Sequence, residues 1–210
     1  MIHRCRRITA VIATAAISLL FAPSAVPAQT SPDKATAFVE QLSTEALAVL
    51  RSQDGSLAER EAKVKTILRE GFDFQVIGRF ALGPAWRKAS SEQREIYQRL
   101  FEQYVLLTYL RRLTSNKDDT FTIIKAVPAG KKDAVVMTEI RRLAGKPIKV
   151  GWRVRDNNGK LRILDVIVEG ISMLSTQRAE FQSTIKSKGL DGLINALRMR
   201  VAGMVGTEQS

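Results

Sequence analysis

The chain has one cysteine, Cys5, and one histidine, His3, and both lie in its first five residues. Those residues belong to what reads as a removable export signal, 1–28. Arg4, Arg6 and Arg7 make a positive start, Ile8 to Ala22 is apolar and uncharged, and Val26-Pro27-Ala28 offers small residues for cleavage. The apolar run is short of the roughly 20 residues that a membrane span needs. Once the signal is removed, neither sulfur nor imidazole remains. The expected mature chain, 29–210, then has no disulfide, no cysteine nucleophile, no Ser-His-Asp triad and no histidine-bearing metal site. No metal and no cofactor is expected. Without disulfides, stability has to come from a hydrophobic core, and a chain of this length with 45% apolar residues can bury one as a single domain.

Acids are also scarce. The sequence has 33 Lys and Arg against 21 Asp and Glu, and removing the three arginines of the signal leaves a net charge of +9. The bases are scattered in pairs, with no continuous stripe and no aromatics interleaved for stacking, which argues against a nucleic-acid groove. An exported basic protein meets anionic membrane surfaces or acidic partners instead.

No internal repeat or low-complexity linker interrupts the chain. Ser31-Pro32-Asp33 signals a helix start, with Phe38, Leu42, Ala46 and Val49 following at helical spacing. Ser56 and Glu59 have capping-box spacing ahead of Val64, Ile67 and Leu68, and Gly71 ends that helix. Asp73 can cap a short helix carrying Phe74, Ile77 and Phe80, stopped at Gly83-Pro84. The longest helix starts at Ser90, shows Tyr97, Leu100, Phe101, Tyr104 and Thr108 on one face, and ends near Asn116.

The period then shortens to two. Phe121–Val127, Ala134–Leu143, Ile148–Arg155 and Lys160–Val168 read as four strands, with breaks at 128–130, 144–147 and 157–159. Such short connections make them antiparallel neighbours. Helix returns over about 173–187 and 192–204, divided by Gly189. The expected fold class is α+β: a four-stranded antiparallel, strongly curved sheet covered by N- and C-terminal helices. A three-residue loop, Asn157-Asn158-Gly159, is expected to pair Asp156 with Lys160 and Trp152 with Leu164; the alternative two-residue loop would put Asp165 beside Trp152 on the apolar face, where an unpaired carboxylate is costly. Ile148, Val150, Trp152, Val154, Leu164, Val166 and Val168 then share an apolar face. Asp165 falls on the other face, where a cross-strand pair with a base is expected.

The stretch Asp165-Val-Ile-Val-Glu-Gly-Ile-Ser-Met173, followed by Arg178 and Phe181, resembles the signature of the MlaC-type, or toluene-tolerance, family of periplasmic phospholipid carriers. Phe72 to Phe101 and Gly189 to Leu197 are similar to two further segments of that family, in the right order. The resemblance implies an NTF2-like, helix-decorated sheet with an apolar cavity that takes lipid acyl chains. It also implies traffic in the periplasm between an outer-membrane lipoprotein–porin complex and an inner-membrane ABC lipid transporter. Leu161, Leu164 and Gln177 stand where the family pattern often has aromatics. Their loss reshapes a cavity, so a hopanoid-like polycyclic lipid is the alternative ligand to phospholipid.

The expected ligand wall is Val150, Trp152, Val154, Leu164, Val166 and Val168 on the sheet, faced by Phe101, Tyr104, Leu174 and Phe181 on helices. Arg178 is the candidate for the lipid phosphate at the mouth, because a guanidinium binds phosphate through two parallel hydrogen bonds. Each of these residues could equally be core or, for Arg178, one half of an ion pair. Tyr97 and Tyr109 are further candidates for the rim. The expected carrier is a monomer that binds no nucleic acid. A ligand-free adaptor remains a second reading. Catalysis is not expected: without histidine or cysteine the candidates reduce to Asp165, Asp73 and the tyrosines, which show no base–nucleophile arrangement.

Overall fold

Ser31 opens the first helix as its Ser-Pro-Asp pattern requires: its hydroxyl accepts from the Lys34 N–H, and Pro32 occupies the first turn. The computed structural model describes residues 29–206 apart from 116, 143 and 144. The export signal, the helix end at Asn116, the strand end at Leu143 and the break at Ala144 therefore lie outside the described residues. Helix α1 covers Pro32–Arg51 and α2 covers Leu57–Gly71, the latter with a complete capping box between Ser56 and Glu59. Asp73 accepts from the Val76 N–H at 3.0 Å and starts α3, Phe74–Leu82. A single turn not anticipated from sequence, α4 (Ala85–Lys88), follows Pro84. Ser90 and Gln93 cap each other's backbone N–H groups at the start of α5, Ser91–Ser115.

Strands β1 (Thr120–Ala129), β2 (Asp133–Arg141), β3 (Ile148–Asn157) and β4 (Lys160–Val168) form an antiparallel meander. The sheet has a fifth member, β5 (Ile171–Ser172), where four were expected. Glu169 and Gly170 both have left-handed backbone, φ 49° and 81°, so the chain reverses tightly and returns along β4. The Glu169 carboxylate also accepts from the Lys149 N–H at 2.6 Å, tying this turn to β3. Helix α6 runs over Met173–Gly206 and is broken at Gly189, whose φ of 72° is left-handed.

The β3–β4 register differs from the expected one. Asn157 pairs with Lys160, so the loop is the two residues Asn158 and Gly159, at φ 55° and 84°. A register shift beside Arg153 and Val154 then leaves Leu164 as an extra residue on β4. Beyond it, Trp152 pairs with Val166 and Val150 with Val168. The bulge compensates for the shorter loop, which is why Val166 and Val168 still share a face with Val150 and Trp152. Leu164 leaves that face.

Two hydrophobic cores result. In the sheet core, Ala35 and Val39 from the first half of α1 pack on Ala134, Val136, Val150, Val154, Ile163 and Val166. In the helical core, Ala46 and Leu50 from the second half of α1 join α2, α3, α5 and α6 around Tyr97, Phe101 and Phe181. Phe181 meets both other rings edge-on at 6.1 Å. Phe72 touches both cores, and its neighbour Asp73 donates its N–H to the Ile163 carbonyl at 3.1 Å.

Candidate functional site: a cleft between the two cores

Residues along one face of α5, Phe101, Tyr104 and Val105 of the helical core among them, line a cleft of about 250 Å³ against β4 and the start of α6. Phe101, Val105 and Tyr109 make one row along α5, and Tyr104, Thr108 and Arg112 the adjacent row. Spacings of three and four put both rows on one helix face. The face spans about 16 Å at 1.5 Å per residue. Leu164, Asp165 and Val166 come from β4; Met173, Leu174, Thr176, Gln177 and Glu180 come from α6; Phe72 and Ile77 close the back. Ile77, Phe101, Leu164 and Val166 are buried and give an apolar floor, whereas Arg112, Thr176 and Glu180 are exposed and give a polar rim. The molecule has larger hollows, such as one of about 510 Å³ between α5 and α6. That hollow is lined mainly by polar and charged side chains, Glu92, Gln93, Asp191, Asn195 and Arg198 among them, and offers no apolar enclosure.

The carboxylates beside the cleft have partners. Asp165 Oδ2 accepts from the Ser172 hydroxyl at 2.6 Å, and Oδ1 accepts from the Leu174 N–H at 3.0 Å. The Ser172 oxygen in turn accepts from the Ser175 N–H. Asp165 therefore secures the start of α6, where negative charge meets the positive helix end, and does not pair with a base. Arg153 lies opposite it in register, but the Arg153 guanidinium goes to Asp133 at 2.6 Å, together with Arg155 at 2.6 Å. Glu180 accepts from Arg200 at 2.7 Å and from the Gln177 amide at 3.1 Å. The Arg200 guanidinium also lies 5.6 Å from the Tyr104 ring centre. Burial pushes the Tyr109 phenol above its ordinary range; the Arg112 charge opposes the rise and the Asp165 charge adds to it. The Arg112 guanidinium sits 5.9 Å from the Tyr109 ring centre.

The MlaC protein family model matches residues 40–199, most of the chain. The chain belongs to the MlaC family. A relative from Haemophilus influenzae, the intermembrane phospholipid transport system binding protein MlaC, is 21% identical over 179 residues, covering 81% of this chain and 82% of its own. The solved structure of a phospholipid-binding protein from Ralstonia solanacearum, in complex with a phospholipid, shares the fold at a TM-score of 0.72. It is 24% identical and covers 81% of this chain and 98% of that one.

On this MlaC fold, the cleft brings together five of the expected ligand residues: Phe101, Tyr104, Leu164, Val166 and Leu174. Four others lie in the sheet core. Val150 and Val154 are buried there, and Trp152 and Val168 pack against it. The Trp152 indole N–H donates to the Thr138 hydroxyl at 3.0 Å. The face expected to be a ligand wall is filled instead by α1. Phe181 belongs to the helical core. Arg178 does not line the cleft; its guanidinium lies 4.7 Å over Phe80, which is 43% exposed rather than inward-facing. Gln177 and Glu180 take the cleft side of α6, and a residue next to Gln177 is turned by about 100° around the helix.

Tyr97 is fully buried and donates to the Gly78 carbonyl at 2.9 Å, so it is no part of a rim. Val105, Arg112, Met173, Thr176, Gln177 and Glu180 were missed as lining residues. Extending the Phe101 row by fours along α5 reaches Val105 and Tyr109 and would have supplied the signal. Two of the three departures from the family pattern, Leu164 and Gln177, are lining residues, while Leu161 packs on the sheet core.

Proposed function

We propose that this protein is a periplasmic carrier that encloses the acyl chains of a phospholipid and moves it between the outer and inner membranes. The observation that carries this reading is the apolar-floored, polar-rimmed cleft between the two cores. Two acyl chains of about 30 methylenes cost on the order of 25 kcal/mol to leave in water, at about 0.8 kcal/mol each. A carrier has to replace that water with apolar wall. At about 30 Å³ per methylene, close to the volume share of one water, the chains fill on the order of 900 Å³. The cleft of about 250 Å³ therefore has to widen, and the boundary between separately packed cores is where widening disturbs the fewest buried contacts. On this reading the chain is exported by residues 1–28 and works as one lipid-carrier domain, 29–210. Its partners are an outer-membrane lipoprotein–porin complex and an inner-membrane ABC transporter.

A second ligand class, a hopanoid-like polycyclic lipid, is favoured by one observation: Leu164 and Gln177 line the cleft where the family pattern has tyrosine. Extracting the purified protein with organic solvent and weighing the extract by mass spectrometry separates the readings. The expected result is about one phospholipid per protein. Polycyclic lipid in its place would establish the second class. Protein that is empty from several preparations, and that takes up no lipid from vesicles, would leave only the adaptor reading.

A further inference from the structure

We infer that the outward face of α3 is a docking surface for an anionic membrane, an interaction that goes beyond the carrier reading. Val76 and Phe80 stand one turn apart on α3 and are each 43% exposed, so they form an apolar pair on one helix face. The helical core does not use them; from the same helix it takes Phe74, Ile77, Ala81 and Leu82. Cations surround the pair. Arg79 is exposed between them on α3, and the Arg178 guanidinium of α6 lies 4.7 Å over the Phe80 ring. Val76 shares a hollow of about 300 Å³ with Lys132, Arg155 and Arg162. Two carboxylates line that hollow: Asp73, which caps α3, and Asp156, which accepts from the Gly159 N–H. Asp133 is shared by Arg153 and Arg155, which leaves that cluster at +1. With Arg79, Arg178, Lys132 and Arg162 set against Asp73 and Asp156, the surface carries a net charge of +3.

The state of these cations favours a membrane over an acidic protein. Arg155 holds Asp133, Arg162 donates to the Leu161 carbonyl at 3.1 Å, and Arg178 stacks on Phe80. An acidic protein would need such groups to turn toward carboxylates at fixed positions. An anionic bilayer needs only their charge, because its surface potential acts within a Debye length whatever hydrogen bonds the cations already make. An apolar ring flanked by guanidinium groups also suits the interface: the ring enters the headgroup layer while the charges stay at its polar level. The place fits a carrier as well. Ile77 of α3 and Gln177, next to Arg178, line the cleft, and Leu164 lines both the cleft and the hollow beside Val76. A membrane met at this face therefore lies beside the cleft.

The test floats the mature protein with vesicles of phosphatidylcholine alone and of phosphatidylcholine mixed with phosphatidylglycerol. Unmodified protein is expected on the anionic vesicles and not on the neutral ones, with binding falling about fivefold or more as salt rises from about 0.05 to about 0.5 M. Arg79→Glu reverses one charge of the surface and should lower binding about tenfold or more. Phe80→Ser removes the ring and should lower it about fivefold. Lys125→Glu makes the same charge change at an exposed position of β1, the sheet edge opposite β5, and should lower binding less than either. Equal losses for Lys125→Glu and Arg79→Glu would mean attraction by net charge without a docking face and overturn the inference, as would full binding by Phe80→Ser. Unmodified protein on neither vesicle also overturns it, and leaves an acidic protein as the occupant that the charge fits. Arg79 and Phe80 are exposed, and unchanged urea unfolding of the variants excludes a folding defect. Phospholipid uptake from detergent solution by unmodified protein tests the carrier reading separately, since it involves no membrane.

Discussion

The two cores are built from different materials. The sheet core is made of small and β-branched side chains, Ala35, Val39, Ala134, Val136, Val150, Val154 and Ile163, which let the first half of α1 lie close on the strands. The helical core is assembled around large rings, with Tyr97, Phe101 and Phe181 meeting at 5.7 to 6.1 Å. Each core is filled by its own elements. The space left over lies where they meet, along an α5 face whose Phe101, Tyr104 and Val105 also pack in the helical core. An apolar sheet face is therefore a poor guide to a ligand wall when a helix of the same chain is available to cover it.

The largest effect expected from disturbing either core is at Phe181. Removing its ring by Phe181→Ala leaves a cavity between Tyr97 and Phe101 and should lower stability by about 3–5 kcal/mol in urea unfolding. A loss below 1 kcal/mol would mean that the helical core collapses around the gap and is not rigidly packed. The sheet core should respond on a smaller scale. Val154→Ala removes two buried methylene equivalents and is expected to cost about 1.5–3 kcal/mol, with lipid content per folded molecule unchanged. Val105→Trp in the cleft should do the reverse, holding stability while lowering lipid content. If Val154→Ala empties the protein and Val105→Trp does not, the ligand wall is on the sheet after all.

Much of this was legible in the sequence, for identifiable reasons. Caps at Ser31, Ser56, Asp73 and Ser90 are local chemistry, so helix starts could be read from three or four residues each. Strand existence followed from the change of period. The two-residue β3–β4 loop, with Asn158 and Gly159 both left-handed, is disfavoured from sequence because in an unbroken ladder it puts Asp165 on the apolar face. The bulge at Leu164 then restores the faces, and no local pattern announces it. The site was half legible: helical periodicity names the residues on a face but not the partner of that face. Tertiary packing decided that α1 covers Val150 and Val154, and that Gln177 rather than Arg178 faces the cleft.

A buried acid separates the cores by pH. Asp133 is 1% exposed and holds both Arg153 and Arg155. Burial alone would raise its pKa, but the hydrogen bonds and charges of the two arginines outweigh it and hold the carboxyl below its usual range. A depressed folded value means that the contribution is complete above the unfolded carboxyl value of about 3.9 and is lost as pH falls through the lower folded value. Asp133→Asn should therefore cost about 1–3 kcal/mol at neutral pH, with the deficit shrinking in unfolding curves taken below about pH 4. A deficit that does not vary with pH would mean that the carboxylate acts by shape alone. Among the described residues, the polar side chains buried in the helical core are the neutral Tyr97 and Gln98, so that core has no comparable term.

The smallest effect on stability belongs to the boundary, and it tests what the boundary is shaped for. Gln177→Tyr would restore the aromatic of the family pattern at a half-buried lining position. Stability should change by less than about 0.5 kcal/mol, as for most substitutions outside a core. The added ring, however, takes space from the cleft of about 250 Å³. Two flexible acyl chains can bend around a ring, whereas a rigid polycyclic skeleton cannot, so binding of the polycyclic ligand should fall more steeply than binding of phospholipid. Competition between the two lipid classes on unmodified protein and on Gln177→Tyr reads this ratio directly. A ratio unchanged by the ring would show that Gln177 does not shape the cleft, and the departure from the family pattern at that position would then carry no information about the ligand.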